Sequence, residues 1–210
     1  MTTRLIIIRH CETTDNKKGK IQGYNEDSEF TEEGQKQLIK LINRFKEEHI
    51  DAVFCSDLGR AYKTAEAIAK SHGLITIKKK DLRECDIGDW SNLPVKEGIA
   101  KWIVYYEENK KKGLRREDIR PPNGENSFDH QKRVMNTVDE IISNFRDKNV
   151  VIVGHSGTNR VIMGSLENKD PDDFYTVGQS NACVNIIEYN GGKYKLIVIN
   201  DVTHLKDETS

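Results

Sequence analysis

"LIIIRHCETTDN" occupies residues 5–16 of a chain of 210 residues. Four apolar residues, Leu5 to Ile8, run straight into Arg9, His10, Cys11 and Glu12. An apolar run without alternation is what a strand buried on both faces requires, and such strands belong to parallel sheets covered by helices. Open α/β sheets bind ligands outside the carboxyl ends of their strands. The stretch therefore reads as a central strand that delivers an arginine, a histidine and a thiol to a binding edge.

Working outward, "VVIVGHSGTNR" at 150–160 repeats the pattern of apolar strand, histidine and turn. Further strands are expected at 52–55, 75–79, 184–189 and 193–199, with the first two runs at 4–8 and 150–153. Asn190, Gly191 and Gly192 separate the last two, a strong hairpin signal. Helices alternate with the strands. One opens at Thr31 and carries Leu38, Leu41, Ile42 and Phe45 at helical spacing, and others are expected at 58–70, 95–110, 127–145 and after Gly157. The expectation is one α/β domain over 1–210. It is a three-layer sandwich with a mostly parallel central sheet plus an antiparallel C-terminal hairpin.

Composition narrows the function classes. Lys and Arg number 33 against 34 Asp and Glu, so a net charge of -1 gives no bulk attraction to nucleic acid or acidic membranes. The basic runs at 78–80 and 110–112 read as solvated ends. Charged residues make up 32% and mean hydropathy is -0.70, with no apolar stretch near the ~20 residues that span a bilayer. The N-terminus lacks a basic and apolar leader pattern. Cys11, Cys55, Cys85 and Cys183 are scattered without a CxxC pair, which suits reduced thiols in a cytoplasmic protein and no zinc site. A homodimer is compatible with the sequence, which does not fix oligomeric state.

Four charged clusters fall just after strands. Arg9 and His10 follow the first. In "CSDLGRAYKTAEAIA" at 55–69, Ser56 and Asp57 are candidates to cap a helix whose first turn carries Arg60. A cation there opposes the helix dipole and is better used as a ligand for an anion shared with the helix N-terminus. In "LRECDIGDW" at 82–90, Glu84 lies beside apolar Leu82 in a loop marked by Gly88 and Trp90, a setting suited to a proton donor, while Arg83 and Asp86 read as exposed partners. His155 lies between Gly154 and Ser156–Gly157, whose glycines permit close approach to a ligand. Two arginines, two histidines and a carboxyl at one sheet edge suit phosphoryl transfer. Guanidinium forks grip phosphate oxygens, nearby positive charge keeps a histidine neutral and nucleophilic, and a carboxylic acid protonates the leaving alkoxide.

These residues resemble the histidine phosphatase superfamily, in its phosphoglycerate mutase-like branch, whose pattern begins R-H-G-E-T-x-x-N. Arg9, His10, Glu12, Thr13 and Asn16 match the opening motif, and Gln22–Gly23 with Thr31–Glu32–Glu33–Gly34 match the family's next conserved stretch. Ser56, Leu58, Arg60, Ala61, Thr64 and Ala65 match the second arginine motif. Glu84, Gly88 and Trp90 match the acid loop, and Gly154–His155 with Gly157 and Arg160 match the second histidine motif. The resemblance implies a phosphoglycerate mutase-like fold, His10 as the nucleophile that becomes a phosphohistidine, and Arg9, Arg60 and His155 as the phosphate clamp. It implies Glu84 as proton donor and later base for water, and Asn16, Gln22, Gly23 and Ser156 as the border of the substrate site. It implies no metal and no cofactor, with a small phosphorylated substrate, and phosphate or another oxyanion as ligand. Pro122–Asn123–Gly124–Glu125 resembles a P-x-G-E segment of the phosphatase branch, with Asn126 where serine is usual.

Two departures bear on the site. Cys11 replaces a glycine, so it is strained if the backbone there needs a positive φ and narrows the pocket if not, and neighbouring arginines would favour its thiolate. Glu29 and Phe30 replace proline and leucine ahead of Thr31, which bears on the loop near Gln22. A cysteine phosphatase centred on Cys11 would need an arginine six residues on, where Lys17 stands, and the H-x-E at 10–12 lacks the P-C-x-x-C of a zinc deaminase. Within the family the alternatives are a cofactor-dependent phosphoglycerate mutase or a non-catalytic phospholigand-binding relative. The segment from 93 to 122 is short for a mutase lid. Its Trp102, Tyr105, Tyr106, Arg115 and Arg116 are candidates for the pocket mouth, and their equally weighted alternative is helix core and surface.

Overall fold

In the computed structural model, which describes residues 2–25 and 28–206, β1 (Thr3–Arg9) and β4 (Asn149–Gly154) form the centre of a six-stranded sheet. The order is β3 (Thr76–Lys78), β2 (Ala52–Cys55), β4, β1, β5 (Val184–Asn190) and β6 (Lys193–Asp201). β1 to β4 run parallel, and the C-terminal hairpin adds β5 antiparallel to β1 and β6 antiparallel to β5. The third strand is shorter than the sequence reading by one residue at each end. Ile75 stands 82% exposed outside it, so its apolar side chain does not mark a buried strand residue.

The period-2 geometry of strands divides the apolar runs between two faces. Ile6, Ile8, Val53, Val151 and Val153 face α2 (Glu32–Phe45) and α3 (Gly59–Ser71), where Leu41, Phe45, Ala61 and Ala65 complete one core. Leu5, Ile7, Phe54, Val150 and Ile152 face α5 (Ser127–Asn144) and α6 (Ser156–Leu166), packing on Val134, Val138, Val161 and Ile162. Helices therefore cover both faces of the sheet, the three-layer arrangement expected. Among the described residues no helix is long and apolar enough to cross a membrane.

Local chemistry explains the segments that hold the edge of the sheet. Thr31 caps α2 by accepting from the Gly34 amide at 3.0 Å, and its hydroxyl donates to Glu12 at 2.7 Å. Gly34 must lack a side chain, because a Cβ there would sit 2.1 Å from the Glu12 carbonyl oxygen. Helix α2 is thus seated directly on the loop that leaves β1. Glu29 and Phe30 preserve that loop: the Thr14 amide donates to the Glu29 carbonyl, and Phe30 bridges Thr13 and packs on the core. Asn126 caps α5 by accepting from the Asp129 amide at 2.8 Å, a task serine performs equally well. The remaining helices are α1 (Thr14–Lys17) and α4 (Val95–Lys111), the latter within the connection that crosses from β3 towards α5.

Candidate active site

The carboxyl ends of β1, β2 and β4 open into a cavity of about 940 Å³. Arg9, His10, Asn16, Gln22, Gly23, Arg60, Glu84 and Ser156 all line it, so eight of the nine residues anticipated from sequence share one chamber. The ninth, His155, is fully buried, with its ring centroid 5.3 Å from that of His10 at an interplanar angle of 61°. Register explains the convergence: β1 and β4 lie side by side with Arg9 opposite Gly154, so the residue following each strand is a histidine at the same level.

His10 is held at three points. Its amide donates to the Gly154 carbonyl, and its own carbonyl accepts from the Ala182 amide and from Asn181 Nδ2. Its Nδ1 lies 2.8 Å from the Cys11 carbonyl oxygen, which can only accept. Nδ1 must therefore carry the proton, and Nε2 presents its lone pair. The ring is 3% exposed. Burial is the main force holding it well below the usual histidine range, with Arg60 and then Arg9 adding to the effect, so the ring is neutral at pH 7. Histidine neutrality was expected from the arginines; desolvation contributes more.

The cationic groups surround this ring. Arg9 donates through Nη1 to the Gln179 carbonyl at 2.6 Å. Arg60, 2% exposed, donates to the carbonyls of Asn25 and Gly23 at 2.6 and 2.7 Å, and so fixes the loop that carries Gln22. Burial lowers the Arg60 guanidinium to about 10, which leaves it cationic at pH 7. Arg9 Nε, Arg60 Nε and both nitrogens of His155 are buried without a hydrogen-bond partner; the two arginine N–H groups and the one N–H of the neutral His155 ring are donors suited to an oxyanion. Asn16, also in the lining, is held through Oδ1, which accepts from Thr13 and Asn181. Gln22 donates to the Thr13 hydroxyl at 3.0 Å, and its Oε1 has no partner.

Glu84 sits across the cavity floor with one carboxylate oxygen accepting from the Cys85 amide at 2.9 Å and the other from the Gly157 amide at 3.0 Å. The second donor belongs to the first turn of α6, where the helix dipole favours an anion. Gly157, which also lines the cavity, makes room for the acid: a Cβ there would lie 2.3 Å from Glu84 Oε1. Gly157→Ala should fold, because the obstructing atom ends a flexible side chain, yet it should displace the carboxyl. A loss of about tenfold to a hundredfold in kcat for an alkyl phosphate is expected, with Tm within a few degrees of the parent. Steady-state kinetics beside a thermal melt checks this, and unchanged kcat would show that the Glu84 position is not critical.

Sequence reasoning missed the clamp on the acid loop. Arg133 of α5 donates to the carbonyls of Asp81, Arg83 and Glu84 and grips the Glu125 carboxylate with Nε and Nη2. Glu125 in turn accepts from the Asp86 amide at 2.9 Å. Gly88 and Gly124 bring the two loops into contact, since a Cβ on Gly88 would meet the Pro122 carbonyl at 2.0 Å. An arginine beside an apolar helical stripe carries no sequence signal of this role. Cys85, Glu125 and His130 have donor atoms within 4.8 Å of one another, but the Glu125 carboxylate is taken up by Arg133, and burial pushes the Cys85 thiol well up.

Other expectations need correction. Ser56 and Asp57 do not cap α3, whose N-cap is Leu58 without a side-chain bond. Asp57 instead pairs bidentately with Arg83 at 2.6 and 2.7 Å, and Asp86 Oδ1 accepts from the Gly88 amide, so neither Arg83 nor Asp86 is a freely exposed group. Cys11 has no positive φ and neither strains nor narrows the site. Its thiol packs in the core with Leu41, Phe45 and Ala61, and burial pushes it up to about 12, against the expected thiolate. At the mouth, Trp102 and Tyr106 line the cavity; Tyr105 packs against Trp90. Arg115 pairs with Asp118, and Arg116 with Asp170, away from the lining.

The chain is similar to known proteins over nearly its whole length. The family model described as the histidine phosphatase superfamily (branch 1) matches residues 5–202. The chain is 33% identical to a metal-independent phosphoserine phosphatase of Arabidopsis thaliana, over 97% of this chain and 83% of the relative. It is 29% identical to phosphoserine phosphatase 1 of Hydrogenobacter thermophilus, over 96% and 94% respectively. Among solved structures, YhfR of Bacillus stearothermophilus superposes with a TM-score of 0.85 at 27% identity, covering 97% of this chain and all of that one.

Proposed function

This chain belongs to branch 1 of the histidine phosphatase superfamily and is a phosphoric monoester hydrolase, and we propose that it works through a phosphohistidine on His10. The observation that carries this reading is the His10 tautomer, which leaves an unprotonated Nε2 on a buried ring within the field of Arg60 and Arg9. The phosphate of a small monoester enters the donor set of Arg9, Arg60 and His155. His10 Nε2 attacks phosphorus, the P–O bond to the alcohol breaks, and Glu84 gives its proton to the departing oxygen. The Glu84 carboxylate then takes a proton from water, whose oxygen attacks the phosphohistidine, breaking P–N and releasing phosphate. Asn16, Gln22, Gly23 and Ser156 border the bound ester.

Hydrolysis is favoured over phosphoryl return to a sugar acid because the chamber is open. Val95 and Ile99 at its mouth are 41% and 54% exposed, so water reaches the intermediate. The free state of Cys11, Cys55, Cys85 and Cys183 supports a reducing, cytoplasmic setting. Phosphate release from a panel of monoesters, O-phosphoserine among them, tests the reading. Activity is expected to survive EDTA, because Arg9 and Arg60 supply the charge that neutralises phosphate. Loss on chelation with recovery on adding magnesium or zinc would contradict it. So would rapid interconversion of 3- and 2-phosphoglycerate, primed by the bisphosphate, with negligible phosphate release from any ester.

A further inference from the structure

The cavity has two zones of opposite character. Its floor is the charged set around His10, and its outer wall is apolar, built from Ile21, Ile87, Trp90, Ile99, Trp102 and Tyr106. The volume of about 940 Å³ lies in the range of roughly 300–1,000 Å³ that holds drug-sized ligands, far more than a phosphate and a few atoms require.

The wall is ordered in advance. Trp90 meets Trp102 edge-on at 6.1 Å, and Trp102 lies 5.5 Å from Tyr106. Helix α4 is tied to the segment before Gln22 by backbone bonds, Ile21 to Leu93 and Val95 to Gly19, each closed by an amide donor at 2.8 or 2.9 Å. Gly98 lets the helix press on Ile21, since a Cβ there would lie 2.2 Å from Ile21 Cδ1. Fixed rings leave little conformational entropy to lose when an apolar group lands on them. Val95 and Ile99 remain exposed at the rim of this wall, apolar surface that a ligand would cover.

The same lining is poorly equipped for a zwitterionic amino acid. Among the described residues its only carboxylates are Glu84, at the floor, and Glu125, which is engaged by Arg133 and the Asp86 amide. Among the described residues no lining acid is left to pair with an α-ammonium group.

We propose that the site takes phosphomonoesters of apolar alcohols, with an aryl group or alkyl chain lying against the Trp90–Trp102–Tyr106 wall in preference to a compact charged group such as that of phosphoserine. The proposal rests on the phosphatase reading above. Straight-chain alkyl phosphates from ethyl to octyl separate apolar contact from reactivity, because their leaving alcohols are almost equally basic. Phosphate release by the purified full chain is expected to show kcat/KM rising along the series, by about fourfold for each methylene that becomes fully buried, and ending above O-phosphoserine. Ile99→Asn, at an exposed position that tolerates polarity, and Trp102→Ala should both flatten the rise. Hydrolysis with a flat or falling series, or with phosphoserine ahead of every alkyl ester, would overturn the substrate assignment alone. Absence of phosphate release from every ester would overturn the phosphatase reading and this proposal with it.

Discussion

Replacing His10 by alanine is expected to lower turnover of every phosphomonoester by at least about 10³-fold, roughly 4 kcal/mol of barrier, while the protein stays folded. The size follows from the geometry. Among the described residues that line the chamber His10 is the only histidine, its Nε2 lone pair is left free by the bond on the other ring nitrogen, and its charge is suppressed by burial and two cations. His155 lacks that arrangement, because neither of its ring nitrogens has a hydrogen-bond partner to fix the tautomer. Cys11→Gly is the informative contrast. The thiol next to His10 points into the core beside Leu41 and Phe45, so its removal should leave turnover within roughly tenfold, about 1.4 kcal/mol. Single-turnover phosphate release on both variants, with circular dichroism as a check of folding, measures this. Comparable losses in the two variants would deny His10 its special place.

Glu84→Gln should give the second largest effect, and one that depends on the leaving group. An alkoxide departs poorly without a proton, whereas a nitrophenolate needs none. The expected loss is about 10²- to 10³-fold for alkyl phosphates and within about tenfold for 4-nitrophenyl phosphate. A glutamine also disturbs the site, since the two groups that meet the carboxylate, the Cys85 and Gly157 amides, are both donors and one would now face an amide NH2. That positional cost falls on all esters alike, so the ratio between ester classes isolates proton donation. Equal losses for both classes would reduce Glu84 to a structural anchor of its loop.

The fold was legible because its strands are written in apolar runs whose ends are charged. Strand β2 matched its expected bounds, β1 and β4 were each extended by one residue at both ends, and the Asn190–Gly192 turn placed the antiparallel edge. The charged residues at those ends could be read for the same reason, since a buried strand has no structural use for Arg9 or His10. The hidden part depends on contacts between distant segments. Nothing in the neighbourhood of Arg133 announces that its guanidinium ties Asp81, Arg83, Glu84 and Glu125 together. That Gly157 also makes room for Glu84 could not be read, because only the packed structure shows which atom lies where its Cβ would be. The chemistry of the Cys11 thiol was hidden for the same reason: arginines nearby in sequence mattered less than the apolar core around the sulfur.

Trapping the covalent intermediate tests the central claim most directly. The protein is mixed with a radiolabelled phosphomonoester, quenched within the first turnovers in alkali or in acid, and the label is mapped to a residue. A phosphohistidine account predicts label on His10 that persists in alkali and is lost in acid, is absent from His10→Ala, and is retained in Cys11→Gly. Label that survives in His10→Ala, or that disappears in Cys11→Gly, would contradict it.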